Sequence, residues 1–587
     1  MRTATRAAAI LAAAAALFTG VHAVQKVSRA GRYLYTEDGN RFFIKGVAYQ
    51  EQGDIAVDPN NRFLEPSSFI DPLADGDACT RDLPFLQQLG VNTIRVYSVN
   101  SSLNHDSCMS TFSGANIYTI IDLSLPVNGS IDRSSPSWAA NLLDLYISTI
   151  DVFTKYDNVL AYNVGNEVVI APNGTAAAAY VKAAARDTKA YLASKSSSAL
   201  VGYAAIDGDS TWIDPLANYL SCDPSGGNSG NTAIDLFGLN NYEWCGDASA
   251  SAYANKNAQF AGYNVPAYFS EFGCITSPPR LWTETQALFS EPMTDIWSGG
   301  LAFSYFPATS SQGQFGMITI GSDGSVQTSD DFDRLKTQYG QLSPPNSPSQ
   351  SSAGSTNFPS CPQQNSSFLA STTLPPTPNF AACACLESTL SCQFTPQTPN
   401  VSTIVGPLLD QACGLLGQSG GTCNDISGNA TSGQYGPVSA CDPCKQELLL
   451  SLLIHRNQLM NVLVFPFLFI LLATKLSFVM SQFFEANNRN PETCNFAGNA
   501  TINQQAPSSV SAANSVASSC LSNPSATFTP SAPASTGSGS SNGNGGSGGS
   551  NNNNSGAVSD LFGNRQAWVG LGVGAVFSLM GGLITLV

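Results

Sequence analysis

Between residues 41 and 307, short apolar runs alternate with helical patterns, and this rhythm limits the possible folds more than any other feature of the chain. The runs at 42–49, 93–99, 118–125, 159–164, 200–206, 234–240, 266–271 and 301–306 have the length and the β-branched and aromatic content of buried strands. Between them, 78–89, 136–155, 176–194 and 283–297 are the clearest helical patterns. Eight such steps in about 300 residues predict a (β/α)8 barrel. An open doubly wound sheet is the alternative. It is disfavoured because no phosphate-cradling GxGxxG follows the first run.

The rest of the 587 residues divides by composition. The barrel is expected over 24–341. A Ser/Pro-rich linker follows at 342–382 and contains Cys361. A cysteine-dense region occupies 383–522, and 523–556 is a Ser/Gly/Asn-rich spacer expected to be disordered. Charged residues make up 11% and the net charge is −16, so no basic stripe exists to neutralise phosphates, and nucleic acid is not an expected partner. Three histidines argue against a His-rich metal site. The spacing of the cysteines provides no pair of CxxC elements, so a zinc site is not expected either.

Targeting signals are expected at both ends. Arg2 and Arg6 precede an apolar run at 7–18, and Val21-His22-Ala23 fits a signal-peptide cleavage site, making 1–23 a leader. Ser555-Gly556-Ala557, a polar-leaning spacer and an apolar tail at 567–587 have the order of a GPI-attachment signal. Attachment is placed at Ser555, with 557–587 removed. Fifteen cysteines and sequons at Asn100, Asn128, Asn173, Asn365, Asn400, Asn429 and Asn499 agree with export. One stretch fits poorly: 448–475 is strongly apolar yet lies inside the cysteine-dense region. It is read as a suspect insertion, such as a retained intron, with a membrane-associated segment as the alternative.

The chemistry concentrates at two strand ends. Tyr162-Asn163-Val164-Gly165-Asn166-Glu167 ends the fourth run, and Tyr268-Phe269-Ser270-Glu271 ends the seventh. A barrel presents its catalytic residues at the carboxyl ends of its strands, so the two glutamates can face each other across the mouth. Retaining glycoside cleavage needs such a pair, one acid to protonate the leaving oxygen and one nucleophile, about 5 Å apart. Either glutamate alone is as easily a solvated strand end; the pair is what points to chemistry. Asn166 can hydrogen-bond a sugar 2-hydroxyl. Arg95 can hold a nucleophile ionised, and Tyr242 can orient Glu271. Tyr97, Tyr305 and Trp244 are candidates to stack on sugar faces.

With these segments in view the chain resembles the fungal GPI-anchored 1,3-β-glucanosyltransferases of glycoside hydrolase family 72. The resemblance rests on Phe43-Ile44-Lys45-Gly46-Val47-Ala48-Tyr49-Gln50, Asn92-Thr93-Ile94-Arg95-Val96-Tyr97, Gly165-Asn166-Glu167, Asn241-Tyr242-Glu243-Trp244-Cys245 and Ser270-Glu271-Phe272-Gly273-Cys274. It implies Glu167 as acid/base and Glu271 as nucleophile, with Tyr49, Gln50, Tyr97, Asn166, Tyr242 and Tyr305 lining donor and acceptor subsites. Ser304-Tyr305-Phe306-Pro307-Ala308 departs from the family in lacking acidic residues.

The tail resembles the family's small, mainly helical carbohydrate-binding module. Its cysteines at 383, 385, 392, 413, 423, 441, 494 and 520 suffice for four bridges. The resemblance also suggests pairing Cys79 with Cys108, Cys222 with Cys361 and Cys245 with Cys274, which leaves Cys444 alone. It further implies a cofactor-free transglycosylase on the outer face of the plasma membrane and in the cell wall, taking β-1,3-glucan as donor and acceptor, expected as a monomer. A β-1,3-glucan hydrolase of the same fold and a non-catalytic glucan-binding wall protein are the alternatives.

Overall fold

The computed structural model describes residues 24–55, 66–126, 130–398, 401–442 and 473–522. The expected leader, Cys444, positions 448–472 of the suspect insertion, the spacer and the attachment signal with Ser555 lie outside the described residues.

Eight parallel strands close into a barrel: β1 (Ile44–Ala48), β2 (Thr93–Val96), β3 (Tyr118–Asp122), β4 (Val159–Asn166), β5 (Leu200–Ile206), β6 (Leu236–Asn240), β7 (Ala267–Phe272) and β8 (Trp297–Ala302). Each pairs with its sequence neighbours, and β8 closes on β1. Ile44, Tyr118, Ile120, Leu160, Leu200, Leu236 and Leu301 pack inside, and an N-terminal hairpin adds Val27 and Leu34 to the same cluster at the strand starts. A larger apolar layer lies between the strands and the outer helices.

Those helices are α1 (Gly76–Leu89), α2 (Asp106–Gly114), α3 (Ala140–Phe153), α4 (Ala178–Ser194), α5 (Ser210–Ser221), α6 (Ala254–Phe260), α7 (Glu284–Leu288) and α8 (Asp330–Gly340). Local chemistry sets their limits. Asp75 caps α1 by accepting from Asp77 N and Ala78 N, and Gly90, at φ 65°, ends it.

Two elements differ from the sequence expectation. The eighth strand runs Trp297–Ala302, four residues before the expected 301–306, and the helix expected over 283–297 shrinks to Glu284–Leu288 plus a single turn at Met293–Asp295. Gly299 and Gly300 give this strand weak β-propensity, which hid it. Packing requires them: Gly299 sits at φ 93°, and a Cβ there would meet Ile44 O at 2.2 Å. The expected linker is also no free tether. Arg41 Nη1 donates to Ser347 O, Tyr35 to Pro348 O, and Arg29 to Thr356, while Phe368 and Ala370 are fully buried in the barrel's outer core.

The cysteine-rich region holds α9 (Phe380–Thr389), α10 (Ser402–Gln418), α11 (Thr474–Ala486) and α12 (Val510–Leu521), with a short antiparallel pair, β9 (Cys392–Phe394) and β10 (Ala500–Ile502). Leu386, Val438, Leu476, Val479 and Met480 form its own core. Thr474 and Lys475, the last residues of the suspect segment, begin α11 and are buried. Its bridges are Cys383–Cys441, Cys385–Cys520, Cys392–Cys494 and Cys413–Cys423. In the barrel the bridges are Cys79–Cys108, Cys222–Cys361 and Cys245–Cys274. The module meets the barrel through Ala140 N to Ala440 O at 3.0 Å and an edge contact of Tyr180 with Tyr435.

Candidate active site

Both glutamates follow a local irregularity. Between Asn163 and Asn166, β4 carries one residue more than β5. Between Phe269 and Glu271, β7 carries one more than β6, so that Glu271 stands opposite Asn240. An extra residue re-aims the side chains that follow it. Glu167 also sits at φ 49°, in the left-handed region that costs a non-glycine residue about 1–3 kcal/mol. Its backbone is braced there: Glu167 N donates to Ala204 O, and Arg133 Nε donates to Glu167 O at 2.7 Å.

Glu271 is surrounded by donors. Tyr97 Oη donates to its Oε1 and Tyr242 Oη to its Oε2, each at 2.8 Å. Arg95 Nη1 adds a longer contact to Oε1 at 3.3 Å. Arg95 is fully buried and shared. Its Nη2 reaches Asp122 Oδ2 at 2.7 Å and Asn166 Oδ1 at 2.8 Å, and it lies 4.2 Å from the Tyr97 ring. One guanidinium thus ties β2, β3, β4 and β7 together at the level of the carboxylates. Burial of a single arginine demands such pairing.

Glu167 has a sparser setting. Asn240 Nδ2 donates to its Oε1 at 2.7 Å, and Asn240 is itself oriented by Ser270 Oγ, which donates to its Oδ1. Burial, and then the charge of Glu271, push the Glu167 carboxyl up to about 7, against weaker opposition from Asn240, Arg133 and Arg95. Burial also raises Glu271, but Arg95, Tyr97 and Tyr242 oppose it. A charge and two phenol donors on one acid against one amide donor on the other place the pair's first negative charge on Glu271. Glu167 then keeps its proton at mildly acidic pH.

The other expected site residues fall into two groups. Asn166, Tyr97 and Tyr242 join the glutamates. Gln50, Tyr49, Tyr305 and Trp244 support the wall instead. The Gln50 amide is used up within the loops, accepting from Tyr97 N and Ser98 N and donating to Ile70 O. Tyr49 and Tyr305, expected to line sugar subsites, are both fully buried. Tyr49 Oη donates to Asp82, and Tyr305 packs on Phe306. Trp244 is 6% exposed, packs on Tyr253 and donates to Thr283 Oγ1. Sequence reasoning missed Asp122, Asn240 and Arg133. The Asn at the end of β6 was visible as Asn240-Asn241, but only the pairing register shows which of the two faces Glu167. Among the described residues, no group of three or more His, Cys, Asp or Glu is arranged to hold a metal ion.

A closed parallel barrel that presents two adjoining carboxyls at its mouth, one rich in donors and one holding its proton, is the arrangement of a glycoside-cleaving enzyme. The chain belongs to the glucanosyltransferase family, glycoside hydrolase family 72, whose match covers residues 13–343. It is similar to the 1,3-beta-glucanosyltransferase gas1 of Schizosaccharomyces pombe, with 42% identity over 430 residues, 72% of this chain and 75% of that protein. It is similar to the 1,3-beta-glucanosyltransferase GAS2 of Saccharomyces cerevisiae, with 36% identity over 72% of this chain and 74% of that one. The solved structure of Saccharomyces cerevisiae Gas2p in complex with laminaritriose and laminaritetraose matches with a TM-score of 0.68 and 32% identity, covering 83% of this chain and 99% of that chain.

Proposed function

We propose that this 1,3-β-glucanosyltransferase acts by two-step retention, with Glu271 as nucleophile and Glu167 as acid/base. The observation that carries the assignment is the unequal supply of donors: Tyr97, Tyr242 and Arg95 converge on Glu271, while Glu167 has the single amide of Asn240. In the first step a Glu271 oxygen bonds to the anomeric carbon of an internal β-1,3 linkage. The glycosidic C–O bond breaks, and Glu167 gives its proton to the departing oxygen. In the second step Glu167, now ionised, takes the proton from the 3-hydroxyl of an acceptor's non-reducing end. That oxygen attacks the anomeric carbon and Glu271 leaves. Transfer wins over hydrolysis when a bound, oriented acceptor outcompetes about 55 M water. Asn166, held by Arg95 and Asn240, is placed for the sugar 2-hydroxyl, a contact that strengthens in the transition state.

Residues 383–522 are read as a carbohydrate-binding module, and the chain as a monomer held at the outer face of the plasma membrane by a GPI anchor at Ser555. Among the described residues no helix is long and apolar enough to cross a membrane. Incubation with reduced laminari-oligosaccharides tests the activity. Products longer than the substrate are expected from the wild type. Glu271→Gln should abolish both shorter and longer products while glucan binding persists. Turnover within about tenfold of wild type would remove the nucleophile assignment.

A further inference from the structure

Arg280 lies outside the carboxylate pair, yet its bonds lead to it. Its side chain is 3% exposed. Nη1 donates to Phe303 O and Nη2 to Phe315 O, both at 2.8 Å, and Nε donates to Asp331 Oδ2 at 3.0 Å. The two carbonyls belong to the segment after β8, and the rings of the same two residues face the catalytic phenols. Phe303 meets Tyr97 edge-on at 6.3 Å, Phe315 meets Tyr242 at 5.6 Å, and the two phenylalanines pack at 5.2 Å. Arg280 also stacks on Trp282 at 4.3 Å. Trp282 in turn presses on the turn after Glu271: a Cβ at Gly273, which sits at φ 116°, would meet its ring at 2.4 Å.

We propose that Arg280 is a positioning residue for the transfer reaction: by clamping the main chain at Phe303 and Phe315, it fixes the two rings that hold Tyr97 and Tyr242 against Glu271. The proposal rests on Glu271 being the nucleophile. Only a planar fork can serve both carbonyls and Asp331 at once; a lysine donates from a single point. The groups facing Glu271 are Arg95, Asp122, Glu167, Tyr97 and Tyr242, and those facing Arg280 are Asp331 and Arg334 from α8, Glu284 from α7 and the phenol of Tyr242. None of the α7 and α8 groups bonds to Glu271; Arg280 reaches it through the Phe303 and Phe315 rings and through Tyr242, on which its charge also acts. The phenols favour the ionised form of Glu271. Loosening them raises its pKa, and the acid limb of the rate profile moves to higher pH.

The test is the pH profile of kcat/KM on reduced laminari-oligosaccharides, from about pH 3 to 8, for Arg280→Met, Arg280→Lys and Phe315→Leu. Arg280→Met should lower kcat about tenfold to hundredfold with little change in KM, and shift the acid limb up by about 0.5–1 pH unit. Arg280→Lys should regain thermal stability more fully than it regains kcat. Phe315→Leu leaves the guanidinium bonds in place and should shift the limb in the same direction; it carries the test if Arg280→Met does not fold. Folded variants with the wild-type limb and kcat within about twofold, altered only in melting temperature, would overturn the proposal. Failure of the nucleophile assignment itself would show separately, as turnover retained in Glu271→Gln.

Discussion

At the barrel mouth, Glu271 is held by hydrogen bonds that arrive from Tyr97, Arg95 and Tyr242, and no disulfide joins the residues that touch it. In the cysteine-rich module the reverse holds. Four bridges close sequence separations of 58, 135, 102 and 10 around a small apolar core, with short two-stranded ladders between β9 and β10 and between Gly428–Asn429 and Gln434–Tyr435. The barrel has a large core, so it can carry a buried charged network at its mouth. The module has less to bury and is held by covalent links. The site should therefore be sensitive to the loss of a single polar atom and the module to the loss of a single sulfur.

The largest effect is expected at the centre of the network. Arg95→Met leaves Asp122 and Glu271 without their shared cation and Asn166 with Asn240 as its remaining donor. The expected cost is about 3–5 kcal/mol of stability and on the order of 100-fold or more in kcat, measured by denaturant unfolding and by product sizing. A milder result would mean that the phenols alone hold the site. Removing the Cys392–Cys494 bridge by paired alanine substitution probes the other region. It should cost about 2–5 kcal/mol, with kcat per folded molecule and its pH profile unchanged. A shifted profile would show that the two regions are not independent.

Glu167→Gln should separate stability from rate. Burial and Glu271 push the folded-state carboxyl up to about 7, above its ordinary 4.5, so its contribution to stability is fully present below about pH 4.5 and is lost as pH rises through 7. The amide copies the protonated form. At pH 8 the variant should be more stable than wild type by about 1–3 kcal/mol, with the difference vanishing below pH 4.5, while transfer is lost. The smallest effect is expected from Tyr146→Phe. Its hydroxyl donates to Val164 O on β4 at 2.8 Å, and its loss should cost about 1 kcal/mol without moving the pH profile.

Much of the barrel, and the placing of both glutamates at the ends of its strands, could be read from the chain, because buried parallel strands leave apolar runs and the two acids close them. Three kinds of information could not. The glycines of β8 lower strand propensity while making its close approach to β1 possible, so the strand was expected four residues late. The extra residues before Asn166 and Glu271 exist only as register between strands, and so Asn240 was not recognised as the Glu167 donor. Aromatic residues at strand ends have the same signature whether they face a sugar or the core. Nothing in the chain therefore separated Tyr97 and Tyr242, which donate to Glu271, from Tyr49, Tyr305 and Trp244, which are buried. The Ser/Pro composition of 342–382 suggested a tether, but its carbonyls and the Cys222–Cys361 bridge bind it to the barrel.

The most direct test is to trap the covalent intermediate. Exposure of the wild-type enzyme to a 2-deoxy-2-fluoro-laminaribiosyl fluoride should slow the second step and leave a glycosyl ester that peptide mass spectrometry can place. The expected result is one adduct on Glu271, absent in Glu271→Gln. An adduct on Glu167, or turnover of the natural substrate without any ester on Glu271, would contradict the account.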